Sequence, residues 1–153
     1  MTSFLGDYTL KIDAKGRVMF PAAFRKQMDA GESLPFVLRK DIYEPCIVLY
    51  PAQEWARQSK ILQDEFNPYN KEQNQLIRLL HKDVHQVEPD SLGRILLPAR
   101  LLLLVEIDKD VVLSGQMNKI EIWSKSLYEA STSMADFGQL AEKLLGTLKN
   151  NDR

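Results

Sequence analysis

Apolar and polar residues alternate in short segments along the first part of the chain, and turn residues separate those segments. This period of two is typical of strands, so we predict a strand over 8–12, and a short apolar run predicts a second strand over 18–20. A helix should follow Pro21, because the N–H that proline lacks is not needed at a first helical position. The same order returns over 86–88, over 95–97 and after Pro98. Each copy then continues into two strands that form a hairpin, so the pattern indicates an α+β fold.

The two copies form a sequence repeat. Residues 10–25 align with residues 87–102 without gaps, and five of the sixteen positions are identical. The identical pairs are Asp13/Asp90, Gly16/Gly93, Arg17/Arg94, Pro21/Pro98 and Ala22/Ala99. Self-similarity of this kind indicates a duplicated unit. We therefore expect two pseudo-symmetric halves, a first repeat over 4–55 and a second repeat over 86–130.

Helical periodicity marks the segments outside the repeats. A helix should begin at Pro51, and a second one follows a break at 67–70, so 56–85 is predicted to be a helical connection. Residues 131–153 carry an apolar stripe at spacings of three and four, which predicts a C-terminal helix and tail. These helices leave more apolar surface than a chain of 153 residues easily hides, so we predict a homo-oligomer.

Composition narrows the class of protein. Hydrophobic residues make up 44% and charged residues 27% of the chain, which is ordinary for a soluble globular protein. No apolar run approaches the roughly 20 residues needed to cross a bilayer, and the N-terminus lacks a signal-peptide pattern. Cys46 is the single cysteine, so a disulfide framework is excluded. These features favour a cytoplasmic protein with no membrane partner.

Charge is segregated along the chain, although the total is only −1. Residues 10–26 carry five cations against one carboxylate, a local net charge of +4. The equivalent segment 87–102 nets zero, because two carboxylates balance two arginines. Clustered cations attract phosphates. We therefore predict that DNA contact is stronger in the first copy, where Arg17 and Lys15 dominate it and Lys11 and Arg25 add to it.

Each copy contains an Asp-x-x-Gly-Arg turn. Aspartate accepts hydrogen bonds from nearby backbone N–H groups and glycine supplies a positive φ, which predicts four turn-shaping residues, Asp13, Gly16, Asp90 and Gly93. The turns should place Arg17 and Arg94 at the end of a strand pair, where a guanidinium can bind a phosphate or read a guanine edge. The alternative is an aspartate–arginine ion pair that only staples a tight turn.

These motifs resemble those of the MraZ family. The run 12–17 (Ile-Asp-Ala-Lys-Gly-Arg) with Pro21 resembles the family's opening, and 90–98 with 118–124 resembles its second half. The resemblance implies a duplicated AbrB-like swapped-hairpin β-barrel formed by both halves of one chain, with peripheral helices. It also implies an octamer-like ring that binds short tandem repeats in double-stranded DNA upstream of the division and cell-wall gene cluster. The DNA-contacting arginines would be Arg17 and Arg94, and the protein would be associated with the nucleoid.

Three other functions compete with DNA binding. His81 and His85 are four residues apart, but a metal site needs further ligands and only Cys46 remains, so we predict no metal and no cofactor. An enzyme with paired aspartates is disfavoured, because the arginine that follows each aspartate would keep it ionised. We accordingly expect neither catalysis nor a small-molecule substrate. An AbrB-like antitoxin, or a structural oligomer that binds a protein partner through its C-terminal helix, stays open as the alternative.

Overall fold

A computed structural model describes residues 2–29 and 35–148, so the predicted tail over 149–153 lies outside the described residues. The strands are β1 (Asp7–Lys11), β2 (Arg17–Met19), β3 (Phe36–Lys40), β4 (Ile47–Tyr50), β5 (His85–Val87), β6 (Arg94–Leu96), β7 (Asp110–Gln116) and β8 (Lys119–Ser124). The helices are α1 (Ala22–Gln27), α2 (Ala52–Glu65), α3 (Lys71–Leu80), α4 (Ala99–Leu104), α5 (Lys125–Ser131) and α6 (Phe137–Leu148). The predicted α+β class is confirmed.

The strands of the two copies are exchanged between the halves of the molecule. Six strands form one antiparallel sheet in the order β1-β7-β8-β4-β3-β5, and β2 pairs with β6 in a separate ribbon. The counterparts within this sheet are β1 and β5, β3 and β7, and β4 and β8. Exchanging every strand for its counterpart gives the same strand order in reverse. The register obeys the same rule, because Leu10 lies opposite Val111 and its counterpart Val87 lies opposite Phe36. A pseudo-twofold axis therefore relates the copies.

The closed barrel that the sequence predicts is not seen in the described residues. The sheet is open, with β1 and β5 as its two edges. Closure would require a hydrogen-bonded ladder that joins these edges. The short strands β2 and β6 do not supply it, because they pair with each other and cover one face of the sheet.

The core lies on both faces of the six-stranded sheet. On one face, the ribbon and the helices α1 and α4 pack against it through apolar side chains that include Val18, Phe24, Ile95 and Leu101. On the other face, Val48 and its buried neighbours pack against side chains of α2 and α5. The central strand β4 is accordingly buried at all four positions. This arrangement leaves the outer face of the ribbon as the part of the duplicated motif that reaches solvent.

The structure adds two details to the predicted elements. Helix α2 begins at Ala52, directly after Pro51, so the boundary drawn at 55 falls inside this helix. Helix α5 was not predicted, because the hydrophobic pattern of this short segment did not indicate a helix. It begins after Ser124, whose Oγ accepts a hydrogen bond from the backbone N–H of Leu127 (3.2 Å). Within the described residues, the helices are too short or too polar to span a bilayer.

Candidate nucleic-acid interface

Asp13 organises the first Asp-x-x-Gly-Arg turn, which we name loop 1 (residues 13–17). Its Oδ1 accepts hydrogen bonds from the backbone N–H groups of Lys15 and Arg17, both at 2.9 Å. Its Oδ2 accepts a third from Nε of Arg17 at 2.8 Å. Gly16 has a φ of +87°, and a Cβ there would lie 3.0 Å from the carbonyl oxygen of Leu97, so glycine is needed at this position.

Loop 2 (residues 90–94) repeats this geometry. Oδ1 of Asp90 accepts hydrogen bonds from the backbone N–H groups of Leu92 and Arg94, both at 2.9 Å. Its Oδ2 accepts one from Nε of Arg94 at 2.9 Å, and Gly93 has a φ of +83°. In both copies the aspartate accepts hydrogen bonds from the turn backbone, the glycine has a positive φ, and the carboxylate holds the arginine.

Each aspartate–arginine pair fixes the guanidinium and leaves most of its donors unused. In each of the two guanidinium groups, of Arg17 and of Arg94, only the Nε atom has a hydrogen-bond partner within residues 2–29 and 35–148. The side chains of the two arginines are 30% and 28% exposed. A guanidinium carries five N–H donors, so the two terminal amino groups stay available to an external acceptor. Stapling the turn and binding a ligand are therefore compatible roles.

The loop hydrogen bonds keep both carboxylates ionised. The backbone N–H of Arg17 donates to Asp13 and lowers the pKa of that carboxyl below its ordinary value of 3.8, and the Arg17 guanidinium acts in the same direction. The backbone N–H and guanidinium of Arg94 lower the pKa of Asp90 in the same way. The turns are consequently held by charged carboxylates at neutral pH.

We expect the stability contributed by the two loops to be lost only in strong acid. A depressed carboxyl pKa stabilises the fold above the unfolded value of about 3.8, and this contribution disappears as the pH falls through the lower folded values. The double variant Asp13→Asn/Asp90→Asn lacks the charges, so it should be less stable than the parent near neutral pH. Denaturant midpoints of both proteins, measured from neutral to about pH 2, should converge below pH 3.8. A difference that does not change with pH would contradict this interpretation.

Strand alternation brings both arginines to one surface, the ribbon face, formed by Arg17, Met19, Arg94 and Leu96. The middle residues Val18 and Ile95 point into the core, so the residues on either side of each point outward. Arg17 lies opposite Leu96, and Arg94 lies opposite Met19. The two apolar side chains are 51% and 45% exposed, respectively. The ribbon face thus alternates cationic and apolar groups about the pseudo-twofold axis.

The remaining predicted cations occupy different places. Lys15 is exposed in loop 1. Lys11 lies at the end of β1, where its Nζ is 3.0 Å from Oδ1 of Asp110, and this ion pair holds it at the edge of the sheet. Arg25 lies in the last turn of α1 but reaches the other copy, because a Cβ on Gly93 would be 3.5 Å from its Nη2.

The position of Arg25 changes how positive charge is distributed between the two loops. The segment count assigned this charge to the first copy, since Arg25 follows loop 1 in the chain. Strand exchange places it beside loop 2. Each loop then has one carboxylate and two cations, Lys15 with Arg17 at loop 1 and Arg25 with Arg94 at loop 2. Unequal contact of the two loops with DNA stays a prediction, but the charge of Arg25 does not support it.

Sequence reasoning did not identify Met19 and Leu96 as surface residues of the site. They appeared as parts of apolar strands, and apolar residues usually face a core. The available signal was the length of the strands: in a three-residue strand with a buried centre, both flanking side chains must point to the opposite face.

Residues that could hold a metal ion are not clustered in the described part of the chain. No set of three or more His, Cys, Asp or Glu side chains comes together there. The Nδ1–H of His81 donates to the carbonyl oxygen of Ile77 (2.8 Å), and the imidazole packs edge-on against Trp55. Cys46 is fully buried, and burial raises the pKa of its thiol. Asp13 and Asp90 are each bound to an arginine, which opposes the sharing of a proton between them.

Comparison with known proteins identifies the family. A sequence profile of the MraZ protein family, described as antitoxin-like, matches residues 3–78 and 81–146. The chain belongs to the MraZ family. Three similar proteins are each named transcriptional regulator MraZ, from Flavobacterium psychrophilum (36% identical, covering 99% of this chain and 98% of the relative), Phocaeicola vulgatus (40%, 96% and 96%) and Bacteroides thetaiotaomicron (38%, 99% and 98%). MraZ membership thus extends over both copies of the repeat.

Proposed function

We propose that this chain regulates transcription by binding double-stranded DNA through the ribbon face and its two flanking loops. The observation that carries the proposal is the duplicated arrangement of Arg17 and Arg94. Each guanidinium is held at Nε by its own aspartate, and its amino groups remain available. The names of the MraZ relatives as transcriptional regulators support this function.

The shape of the ribbon suits a groove of DNA. The major groove of B-DNA admits a two-stranded β-ribbon, and an arginine there can bind guanine O6 and N7 with two donors. The amino groups of Arg17 and Arg94 are the donors for a base edge or a phosphate. Lys15 beside Arg17 would position the protein on phosphates. The exposed Met19 and Leu96 offer apolar contacts to base-edge methyl groups.

The exchanged topology supports an AbrB-like swapped-hairpin arrangement, within an open sheet in place of a closed barrel. We propose that 4–55 and 86–130 are the units of the duplication, because each contributes one strand of the ribbon and one hairpin of the sheet. They share a single core. We accordingly expect them to fold together and not as independent domains.

Two apolar surfaces at opposite edges of the sheet support a homo-oligomer. The C-terminal stripe, formed by Met134, Phe137, Leu140, Leu144, Leu145 and Leu148, is more than half exposed at every residue. It borders a groove that reaches Asp7 at the β1 edge. Near the β5 edge, Ile42, Leu79 and Leu104 line a second apolar groove. Contacts between two different surfaces propagate head to tail and close into a ring when the rotation allows, as the MraZ resemblance implies.

The alternative is an antitoxin-like role in which the C-terminal stripe binds a different protein. The description of the family as antitoxin-like supports this alternative. The two functions predict different masses for the purified chain in solution. Self-association gives a mass that is a multiple of 17.6 kDa. A stripe reserved for another protein leaves the purified chain monomeric.

Binding of the purified chain to the DNA directly upstream of its own gene tests the proposal. In an electrophoretic shift titrated with salt, the logarithm of affinity should fall with the logarithm of salt concentration, with a slope steeper than about −1.8. This value corresponds to two phosphate contacts per chain at about −0.9 each. An unrelated duplex of equal length should bind much more weakly. No shift, or equal binding of both duplexes, would overturn the proposed function.

A further inference from the structure

Arg25 approaches loop 2 across the boundary between the two copies. A Cβ on Gly93 would lie 3.5 Å from Nη2 of Arg25 and 3.5 Å from Sδ of Met19, so the guanidinium lies against the backbone of the loop. Arg25 itself is exposed, and it forms no ion pair within the part of the chain that the structure describes. Its charge is therefore directed to loop 2 without being neutralised there by a carboxylate.

The equivalent position in the second copy is occupied by an apolar residue. Leu102 occupies the place of Arg25 in the second copy, and its Cδ1 would lie 3.6 Å from a Cβ on Gly16 in loop 1. Loop 1 carries Lys15 in its own turn, whereas loop 2 carries Leu92 at that position. Each loop thus has one cation beside its arginine, supplied locally at loop 1 and from the opposite copy at loop 2.

We propose that Arg25 is the second phosphate-binding cation of loop 2, acting with Arg94 as Lys15 acts with Arg17. This inference rests on the proposed DNA-binding function and assigns a specific partner, the phosphate backbone next to the groove that loop 2 enters. Because the charges are then balanced about the pseudo-twofold axis, both loops engage DNA with comparable strength. The ribbon face therefore contacts DNA as a pseudo-symmetric unit.

A structural role for Arg25 makes a different prediction. Arg25 and Lys26 both lie in the last turn of α1, where any cation interacts favourably with the helix dipole. If this were the function of Arg25, its removal would lower the stability of the fold, and a cation placed elsewhere on loop 2 would not restore DNA binding. Substitution of Leu92, the counterpart of Lys15, separates the two roles.

The experiment compares Arg25→Ala, Lys26→Ala and the double variant Arg25→Ala/Leu92→Lys with the parent chain. Binding to the duplex from upstream of its own gene is measured over a range of salt, and thermal melts monitor the fold. Arg25→Ala should weaken binding about tenfold and make the salt slope shallower by about 0.9 per engaged chain. The matched control Lys26→Ala removes the same charge from the same helical turn and should bind as the parent does. The double variant should recover most of the lost affinity and slope.

The outcomes distinguish this inference from the function on which it rests. Parental binding by Arg25→Ala, while Arg17→Ala loses binding, would overturn the role of Arg25 and leave DNA binding in place. A loss in Arg25→Ala that Leu92→Lys does not restore would also overturn it, because a phosphate-binding cation is replaceable by another at the same loop. Failure of the parent chain to bind the duplex would overturn the proposed function itself.

Discussion

Replacing Arg17 by alanine should abolish detectable binding to the upstream DNA while the fold remains intact. Loss of an arginine that reads a base edge or a key phosphate costs about 1–3 kcal/mol per engaged loop. In an oligomer that places several loops on one DNA molecule, the affinity falls again for each engaged loop, because every contact after the first is intramolecular. The turn itself should persist, since Oδ1 of Asp13 keeps its two backbone hydrogen bonds.

Arg94→Ala should weaken binding to a similar extent. The segment charges of the sequence predict a smaller loss here, but Arg25 supplies loop 2 with the second cation that loop 1 has in Lys15. Arg57→Ala is the matched control. Arg57 is also held by a carboxylate, that of Glu54, but both residues lie on α2, away from the ribbon face. Titrations of the three variants, with circular dichroism as a check of folding, measure these losses. Full binding by Arg17→Ala would exclude the ribbon face as the DNA site.

Arg17→Lys separates the two possible DNA contacts of the guanidinium. Lysine keeps the charge but lacks the planar pair of donors. If Arg17 binds a phosphate, the lysine variant should retain much of the affinity and the parental salt slope. If Arg17 reads guanine, the variant should keep the slope and lose discrimination against an unrelated duplex.

The local structure could be predicted from the sequence because it is determined by nearby residues. Asp13 and Gly16 are three residues apart, and the backbone N–H of Gly16 donates to the carbonyl oxygen of Asp13 within the same turn. Strand positions follow in the same way from alternation and from short apolar runs, and helices α1 and α4 begin directly after Pro21 and Pro98. Duplication of the motif provided a second, independent indication of each of these elements.

The pairing of strands could not be predicted in the same way. Alternation shows which side chains face a core, but it does not show which strand lies alongside, and Leu10 would be equally well buried next to β3 or β7. The choice of β7 exchanges the copies and carries Arg25 to loop 2. The charge of Arg25, which a count along the chain assigns to the first copy, therefore lies beside loop 2.

We expect the C-terminal stripe to hold copies of the chain together, and its disruption to produce the second large loss of DNA affinity. Leu140 and Leu144 are 58% and 56% exposed in the single chain. Exposed apolar side chains in a contiguous row indicate a surface that is covered by a partner. The double variant Leu140→Asp/Leu144→Asp should therefore lower the mass in light scattering without unfolding the sheet and ribbon, since neither side chain belongs to the core.

The affinity of this variant for tandem DNA sites should fall by about 10²–10⁴, because linked copies hold one another at a high effective concentration on the DNA. Its affinity for a single site should change little, since Arg17 and Arg94 lie on the ribbon face and not on α6. Gln139→Asp adds a charge to the opposite face of α6 and should leave both mass and binding unchanged. A parent chain with a mass of 17.6 kDa at micromolar concentration would refute self-association. An unchanged mass for the leucine variant would show that a surface other than α6 joins the copies.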